Sequence, residues 1–427
     1  MSTLILYLVI FGILFAVGVP VVLSLAAAAV VMLLTNGLDL LIFAQKFVVS
    51  MDNYGLTAML FFILAGELMN GGGMTRRIVA AVSKLVKGIP GGLAIVTLVS
   101  CAIFAAINGS AIATAIAIGA IMYPAMVKQG YPPAFSAATI AAGGIIGPII
   151  PPSIPMIVYG STTGDSVAAL FAGGFLLGIL MTAGEVVVAY LYCKKHGYGV
   201  NVPDIDFGNT KGIGWALIFP ILIMGFIVTG IMTPTETSAM AVVYAWIVGT
   251  FIYKEFKFRE FPEMMVRAMK SSGAVMAIVG AATAVAWVLT YVRVPQQVTE
   301  LMVSTIHSPS LFMIVTFVIL FIVGMIMDLT PAILILTPIF VGPVAAFHID
   351  PIFFGVFFCS TLTAGLITPP VGTLIYIGCS MSDRSLTDVV KELLPYIVVV
   401  YAVLFVAAIF PDLITYIPKN VLHLYGG

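Results

Sequence analysis

Asp328 is the first charged side chain after an uncharged run that begins beyond Glu300. It stands in GMIMDLTP, next to Thr330 and Pro331. A carboxylate at the centre of a membrane helix costs about 2.5–3.5 kcal/mol, so such an acid pairs, binds a cation or carries a proton. A cap at a helical turn is the other reading, and the residue type alone leaves both open. A second polar cluster, Asn108, Gly109 and Ser110 in AINGSAIAT, interrupts the uncharged run between Lys87 and Lys128. Amide, hydroxyl and carboxylate oxygens of this kind suit a hard cation.

Two proline-rich stretches add oxygens of another sort: GPIIPPSIP at 147–155 and GLITPPVGT at 365–373. Proline has no N–H and clashes with the preceding turn, so each stretch breaks a helix and exposes carbonyls with few donors. Irregular backbone at membrane depth is tolerated only where something satisfies its polar groups. Bare carbonyls are ligands for a hard cation such as sodium, while helix N-termini aimed at the same point suit an anionic substrate. The hydroxyls of Tyr159, Ser161, Thr162 and Thr163 follow the first break and are candidate substrate contacts. Thr330 and Thr373 are their candidate counterparts in the second half. Glu236, in MTPTE, reads as the first-turn acid of a helix starting at Pro234. Glu67 and Glu185 fall near segment ends, where no site role is expected. The four cysteines and four histidines show no ligand spacing, and neither HExxH nor GxSxG occurs.

Elements that could position these residues must lie in a bilayer. The chain is 61% hydrophobic and 8% charged, against about a quarter charged in soluble domains. Eighteen basic and eighteen acidic side chains cancel, which leaves no electrostatic footprint for nucleic acid. The start, MSTLILYLVIFGILFAVGVP, lacks a basic leader region and reads as a retained first helix. Apolar segments run 3–18, 20–35, 56–71, 92–127, 133–164, 168–193, 213–230, 236–253, 271–290, 309–346, 351–382 and 388–411. Segments 92–127 and 309–346 are too long for one helix, and their polar breaks divide them into halves of about 22 Å. Each suits a hairpin that enters and leaves on one side.

The two halves of the chain match at a step of 218 residues. Pro133 maps to Pro351, Gly147 to Gly365, Pro151 and Pro152 to Pro369 and Pro370, and Gly160 to Gly378. Ser110 maps to Asp328, tip onto tip. Basic residues crowd 76–87, 194–195, 254–270 and 384–391. Placing all of these in the cytoplasm makes the halves inverted repeats, with the first hairpin opening inward and the second outward. The expected fold is therefore an all-α polytopic membrane protein with two inverted-topology repeats, re-entrant helical hairpins and broken helices. Arg76–Lys87 and Lys257–Lys270 read either as amphipathic helices at the cytoplasmic interface or as basic loops. Discontinuous helices at matching positions of inverted halves point to a secondary transporter.

The motifs N-G-S at 108–110, G-P-I-I-P-P-S-I-P-M-I-V-Y-G at 147–160, G-I-M-T-P-T-E at 230–236 and G-L-I-T-P-P-V-G-T at 365–373 resemble the large membrane subunit (DctM-like) of tripartite ATP-independent periplasmic (TRAP) transporters. The likeness covers essentially the whole length. It implies an elevator-type sodium symporter in the bacterial inner membrane, fed with an organic anion by a periplasmic substrate-binding protein. Family substrates include C4-dicarboxylates, sialic acid and other sugar acids. It further implies a small four-helix membrane partner and, as cofactor, Na+ at no fewer than two sites. One sodium site would use Asn108 and Ser110 with Gly147, Ile150 and Pro152. The other would use Gly324 and Asp328 with Gly365, Thr368 and Val371. The moving transport domain would comprise 91–167 and 291–387. The scaffold would comprise 1–90 and 168–290, and 388–427 would form a C-terminal helix and tail. A stand-alone sodium- or proton-coupled organic-anion symporter is the alternative.

Overall fold

The computed structural model describes residues 2–86, 88–199, 207–208 and 210–425, with no description of the Ser2 and Thr3 side chains. Lys87, counted above with the basic residues before the first hairpin, lies outside them. Regular structure among the described residues is entirely helical. Eight helices are long and apolar enough to cross a membrane.

The first repeat opens with α1 (Ser2–Ala16), α2 (Val21–Thr35), α3 (Leu41–Met51) and α4 (Tyr54–Gly71). Asn53 separates the last two, its side chain accepting the N–H groups of Gly55 and Leu56 at the start of α4. Next comes α5 (Met74–Leu85), which buries Ile78, Val79 and Val82 and exposes Arg76. The hairpin follows as α6 (Gly92–Asn108) and α7 (Ala111–Lys128), then the broken pair α8 (Pro133–Gly144) and α9 (Ile154–Thr163), and the long α10 (Val167–His196). The second repeat runs α11 (Ile213–Val228), α12 (Pro234–Ile247, with a π-helical end to Ile252) and α13 (Phe261–Tyr291). It continues through α14 (Val294–Thr305), the hairpin α15 (Pro309–Ile326) and α16 (Leu329–Ala346), the broken pair α17 (Pro351–Ala364) and α18 (Thr373–Ser382), and α19 (Leu386–Ile409).

The step of 218 residues now relates whole elements. It carries α5 onto α14, α7 onto α16, α8 onto α17 and α10 onto α19. Both Pro-Pro peptides, Pro151–Pro152 and Pro369–Pro370, are cis. One difference is informative. In the first repeat α3 and α4 are separate, whereas their counterparts fuse into the 31 residues of α13, because the residue equivalent to Asn53 is Ser271, which lies inside the helix. Lys257–Lys270 is thus no independent interfacial helix, a correction to the helical reading. Its first part is loop and a 3-10 turn (Phe258–Glu260), and the rest opens α13. The partner of α5 in the repeat is instead α14.

Two packed groups emerge. In one, α1 lies on α2, α2 and α3 lie along α13, and α4 lies along α12 and α13. In the other, α6, α7, α8 and α18 form a block flanked by α10 and α19, with α15 on α17. Broken helices cross between repeats: α9 packs on α16 and α17, and α18 packs on α7 and α8. The neighbours of α10 include α6, α17 and α19, and Gly174 and Gly178 let it meet Ile149 and Ile150 of the first break.

Candidate ion-binding site

At the first junction α6 ends on Asn108, which is 3% exposed. Gly109 turns the chain with φ +67° and Ser110 begins α7. The Asn108 side-chain oxygen accepts the Ser110 N–H at 2.7 Å, and the Ser110 hydroxyl accepts the Ala113 N–H at 3.4 Å. This tip is pressed against the broken stretch. A Cβ on Gly109 would run into the carbonyl oxygen of Pro152, and one on Gly147 would lie 2.7 Å from the Ser110 carbonyl oxygen. Only glycine permits either approach.

Within the break, Ser153 donates to the Pro148 carbonyl and caps α9 through the Met156 N–H at 3.3 Å. The carbonyls of Gly147, Ile150, Pro151 and Pro152 accept no hydrogen bond from the described residues. Buried carbonyls usually have partners, so these groups beside a polar tip are candidate oxygen ligands. Thr114, fully buried, adds a hydroxyl without a partner among the described residues, 3.0 Å from where a Gly147 Cβ would stand.

The second junction repeats the design with different chemistry. Gly324, in the last turn of α15, lies against Gly365 so closely that a Cβ on Gly365 would strike the Gly324 backbone. The Val371 N–H donates to the Met325 carbonyl at 3.2 Å, binding tip to break. Thr368 donates to the Ala364 carbonyl at 2.9 Å and shares a hydrogen bond with the Tyr401 hydroxyl of α19 at 3.1 Å. Asp328 occupies the N-cap position of α16, yet its side chain makes no cap hydrogen bond. It is exposed and has no ion-pair partner among the described residues. The carboxylate interacts with the Leu329 N–H that opens α16, so the cap and the cation-binding readings both stand. Glu236 behaves as expected, in a capping box in which it accepts the Thr233 N–H at 2.8 Å.

The profile of the family described as tripartite ATP-independent periplasmic transporter, DctM component, matches residues 8–413. The chain belongs to this family. It is 39% identical over 408 residues to the 2,3-diketo-L-gulonate TRAP transporter large permease protein YiaN of Escherichia coli (strain K12), covering 93% of this chain and 95% of that one. The isethionate TRAP transporter permease protein DctMQ of Oleidesulfovibrio alaskensis is 35% identical, and the match covers 94% of this chain and 64% of the longer relative. Among solved structures, the YdaH transporter of Alcanivorax borkumensis, described as having an unusual topology, superposes with a TM-score of 0.64 over 86% of both chains. Identity there is 13%, so that likeness concerns the fold. The TRAP permease is a multi-pass protein of the bacterial inner membrane, and its work is transport rather than catalysis.

In this TRAP permease each tip meets its break: Gly109 and Ser110 lie with Pro152 and Gly147, Gly324 lies with Gly365, and Met325 is bonded to Val371, while Asn108 lies against Gly66 of α4. Ile150 is turned toward α10, its side chain packed at Gly178. The candidate substrate hydroxyls are more dispersed. Tyr159 is 2% exposed, its ring tilted against Phe358 with centroids 5.6 Å apart. Thr162 and Thr163 donate to their own helix at Val158 and Tyr159. Ser161 faces Gly55 at the start of α4, between the two packed groups. Thr330 is buried in the first turn of α16, and Thr373 holds a buried hydroxyl without a partner among the described residues.

Two residues were passed over. Thr114 looked like one more threonine in an alanine-rich helix, and its spacing of four from Ser110 was the available signal. Glu185 was placed near a segment end. However, α10 continues for about three more turns, and the carboxylate is fully buried, both oxygens without hydrogen-bond partners among the described residues.

Proposed function

We propose that this TRAP permease carries an organic anion inward together with sodium, by an elevator motion of the block holding both junctions. The observation that carries the reading is the pair of repeat-related junctions, each pressing a hairpin tip against a Pro-Pro break, with open carbonyls at the first. Asp328 adds a carboxylate without an ion-pair partner among the described residues at the second tip. Sodium fits better than a proton relay, because carbonyl and hydroxyl cages bind hard cations, whereas a relay needs a chain of membrane carboxylates.

The moving body in this reading contains α6–α10 and α15–α19, and α1–α4 with α11–α13 stay fixed. Ser161, with Thr330 and Thr373, is the candidate contact for the anion between body and scaffold. A sugar acid is the favoured cargo, since a relative of 39% identity is named for 2,3-diketo-L-gulonate. A periplasmic binding protein delivers it. A small membrane subunit of four helices completes the fixed part, a role supported by the longer DctMQ relative, of which this chain matches 64%.

The test is uptake by the complete complex in proteoliposomes, with a panel of sugar acids, dicarboxylates and sulfonates under imposed sodium or proton gradients. Uptake driven by sodium and absent without it is expected. Uptake unchanged in sodium-free buffer and driven by a pH gradient would overturn the coupling.

A further inference from the structure

We propose that the segment from Phe251 to Lys270 is a recognition surface for the headgroups of anionic phospholipids in the cytoplasmic leaflet. This goes beyond transport and does not depend on which solute is carried.

Helix lengths place the segment at the membrane boundary. Residues 234–252 form about 28 Å of helix, nearly one hydrocarbon core, so Phe251 stands at its edge. On the return, 271–291 contains no charged residue and spans about 31 Å. Lys270 therefore marks the same edge, and the segment between lies at headgroup level. The basic excess, five Lys or Arg against three Glu in 254–270, assigns this side to the cytoplasm.

The local fold then decides which charges remain available. Glu255 is taken by Arg77 at 2.7 Å, and Glu260 by Lys257 at 3.3 Å, which leaves Glu263 as the exposed acid of the segment without an ion-pair partner among the described residues. Arg267 is held by Glu67 at 2.9 Å. Lys254, Arg259 and Lys270 are exposed and have no ion-pair partner among the described residues. Lys254 is held at φ +56°, a conformation unusual for a lysine. The turn after it is pinned by the N–H groups of Glu255 and Phe256, both donating to the Gly249 carbonyl.

Apolar side chains stand among these cations. Phe258 is 69% exposed and Phe251 61%, and Phe258 is braced by contact with Phe256 and Phe261. Exposed rings beside unpaired cations match a surface that is oily below and negatively charged above. A soluble acidic partner would satisfy the cations but leave Phe251 and Phe258 in water.

The experiment uses the full chain in bilayers of phosphatidylglycerol and phosphatidylcholine, one of the two brominated at a time. Trp215, Trp246 and Trp287 are replaced by Phe, and Phe258→Trp is introduced as the reporter. Leu8→Trp, at an exposed site on α1, serves as control. Brominated phosphatidylglycerol should quench at 258 with a local preference of about fivefold, the factor one basic side chain supplies near an anionic surface, and no preference should appear at 8. The charge-neutral K254Q/R259Q/K270Q should abolish it. Equal quenching by both lipids at 258, or a preference that survives neutralisation, would overturn the proposal. A second measurement needs no tryptophan replacement. Phosphatidylglycerol co-purifying with the wild-type chain should exceed that with K254Q/R259Q/K270Q, and equal amounts would refute it.

Discussion

A methyl group on Gly365 is the sharpest probe of the second junction. An ideal Cβ there would strike the Gly324 carbonyl group and lie 2.5 Å from its Cα, and ordinary contact begins at 3.4 Å, so more than about 0.9 Å of separation must open. Both partners are backbone, one in the last turn of α15 and the other in the short helix after α17, so no flexible side chain can yield. Overpacking of this kind costs about 1–3 kcal/mol. The separation would strain the Val371 to Met325 hydrogen bond and spread the oxygens of the cage. Should all of that fall on the ion-bound state, Gly365→Ala would weaken apparent sodium affinity roughly 5- to 150-fold. The assay is a sodium titration of uptake by the reconstituted complex, with thermal unfolding of the same samples in low and high sodium. Gly225→Ala, where a Cβ meets nothing within 4 Å, is the control and should behave as wild type. A properly folded Gly365→Ala protein with an unaltered sodium curve would refute the idea that tip and break form one ligand shell.

Asp328→Asn should keep the fold, since the amide oxygen can still accept at the start of α16, and should abolish sodium-dependent uptake or shift its half-saturation at least tenfold; a normal titration would return Asp328 to a passive role. Gly109→Ala combines a left-handed φ with a clash at Pro152 and should cost about 1–3 kcal/mol in unfolding measurements, with sodium dependence impaired as well. Arg77→Ala removes a buried ion pair to Glu255 and a ring contact with Tyr253 at 3.9 Å; because Glu255 is partly exposed, a loss of about 1–3 kcal/mol is expected, only partly recovered in Arg77→Lys. Single cysteines at Val127 and Phe347, without the four native cysteines, should react with an impermeant thiol reagent only from the cytoplasm and only from the periplasm, respectively; labelling of both from one side would end the inverted topology.

Much of this architecture was legible because the bilayer removes alternatives. A run such as 309–346 cannot be one helix, and Asp328 in its middle marks where it turns. The boundaries at Asn108 and Ala111, and at Ile326 and Leu329, follow from that polar punctuation. Short amphipathic elements were harder. The helical reading of Lys257–Lys270 failed because charge says where the chain leaves the membrane and not whether a helix stops there. The fusion of α13 turned on one missing cap at Ser271. At the site, glycines and prolines announced the close approaches, but carbonyl ligands carry no residue code, and the burial of Tyr159 came from ring packing across the two repeats. The burial of Glu185 was not legible because apolar segments end sooner than helices do.

The crossing of broken helices between repeats has a consequence for how the protein is made. The helix α9 that follows the first break gains α16 and α17 as neighbours only when they arrive, nearly 200 residues later in the chain. At about 5–20 residues per second, a newborn permease waits roughly 10–40 s with its first half lodged in lipid and unfinished. Neither half can close itself, so quality control at the membrane meets a half-built cage in every molecule synthesised. Substitutions in α16 that slow its docking would then lower the amount of protein long before they altered any property of the finished transporter.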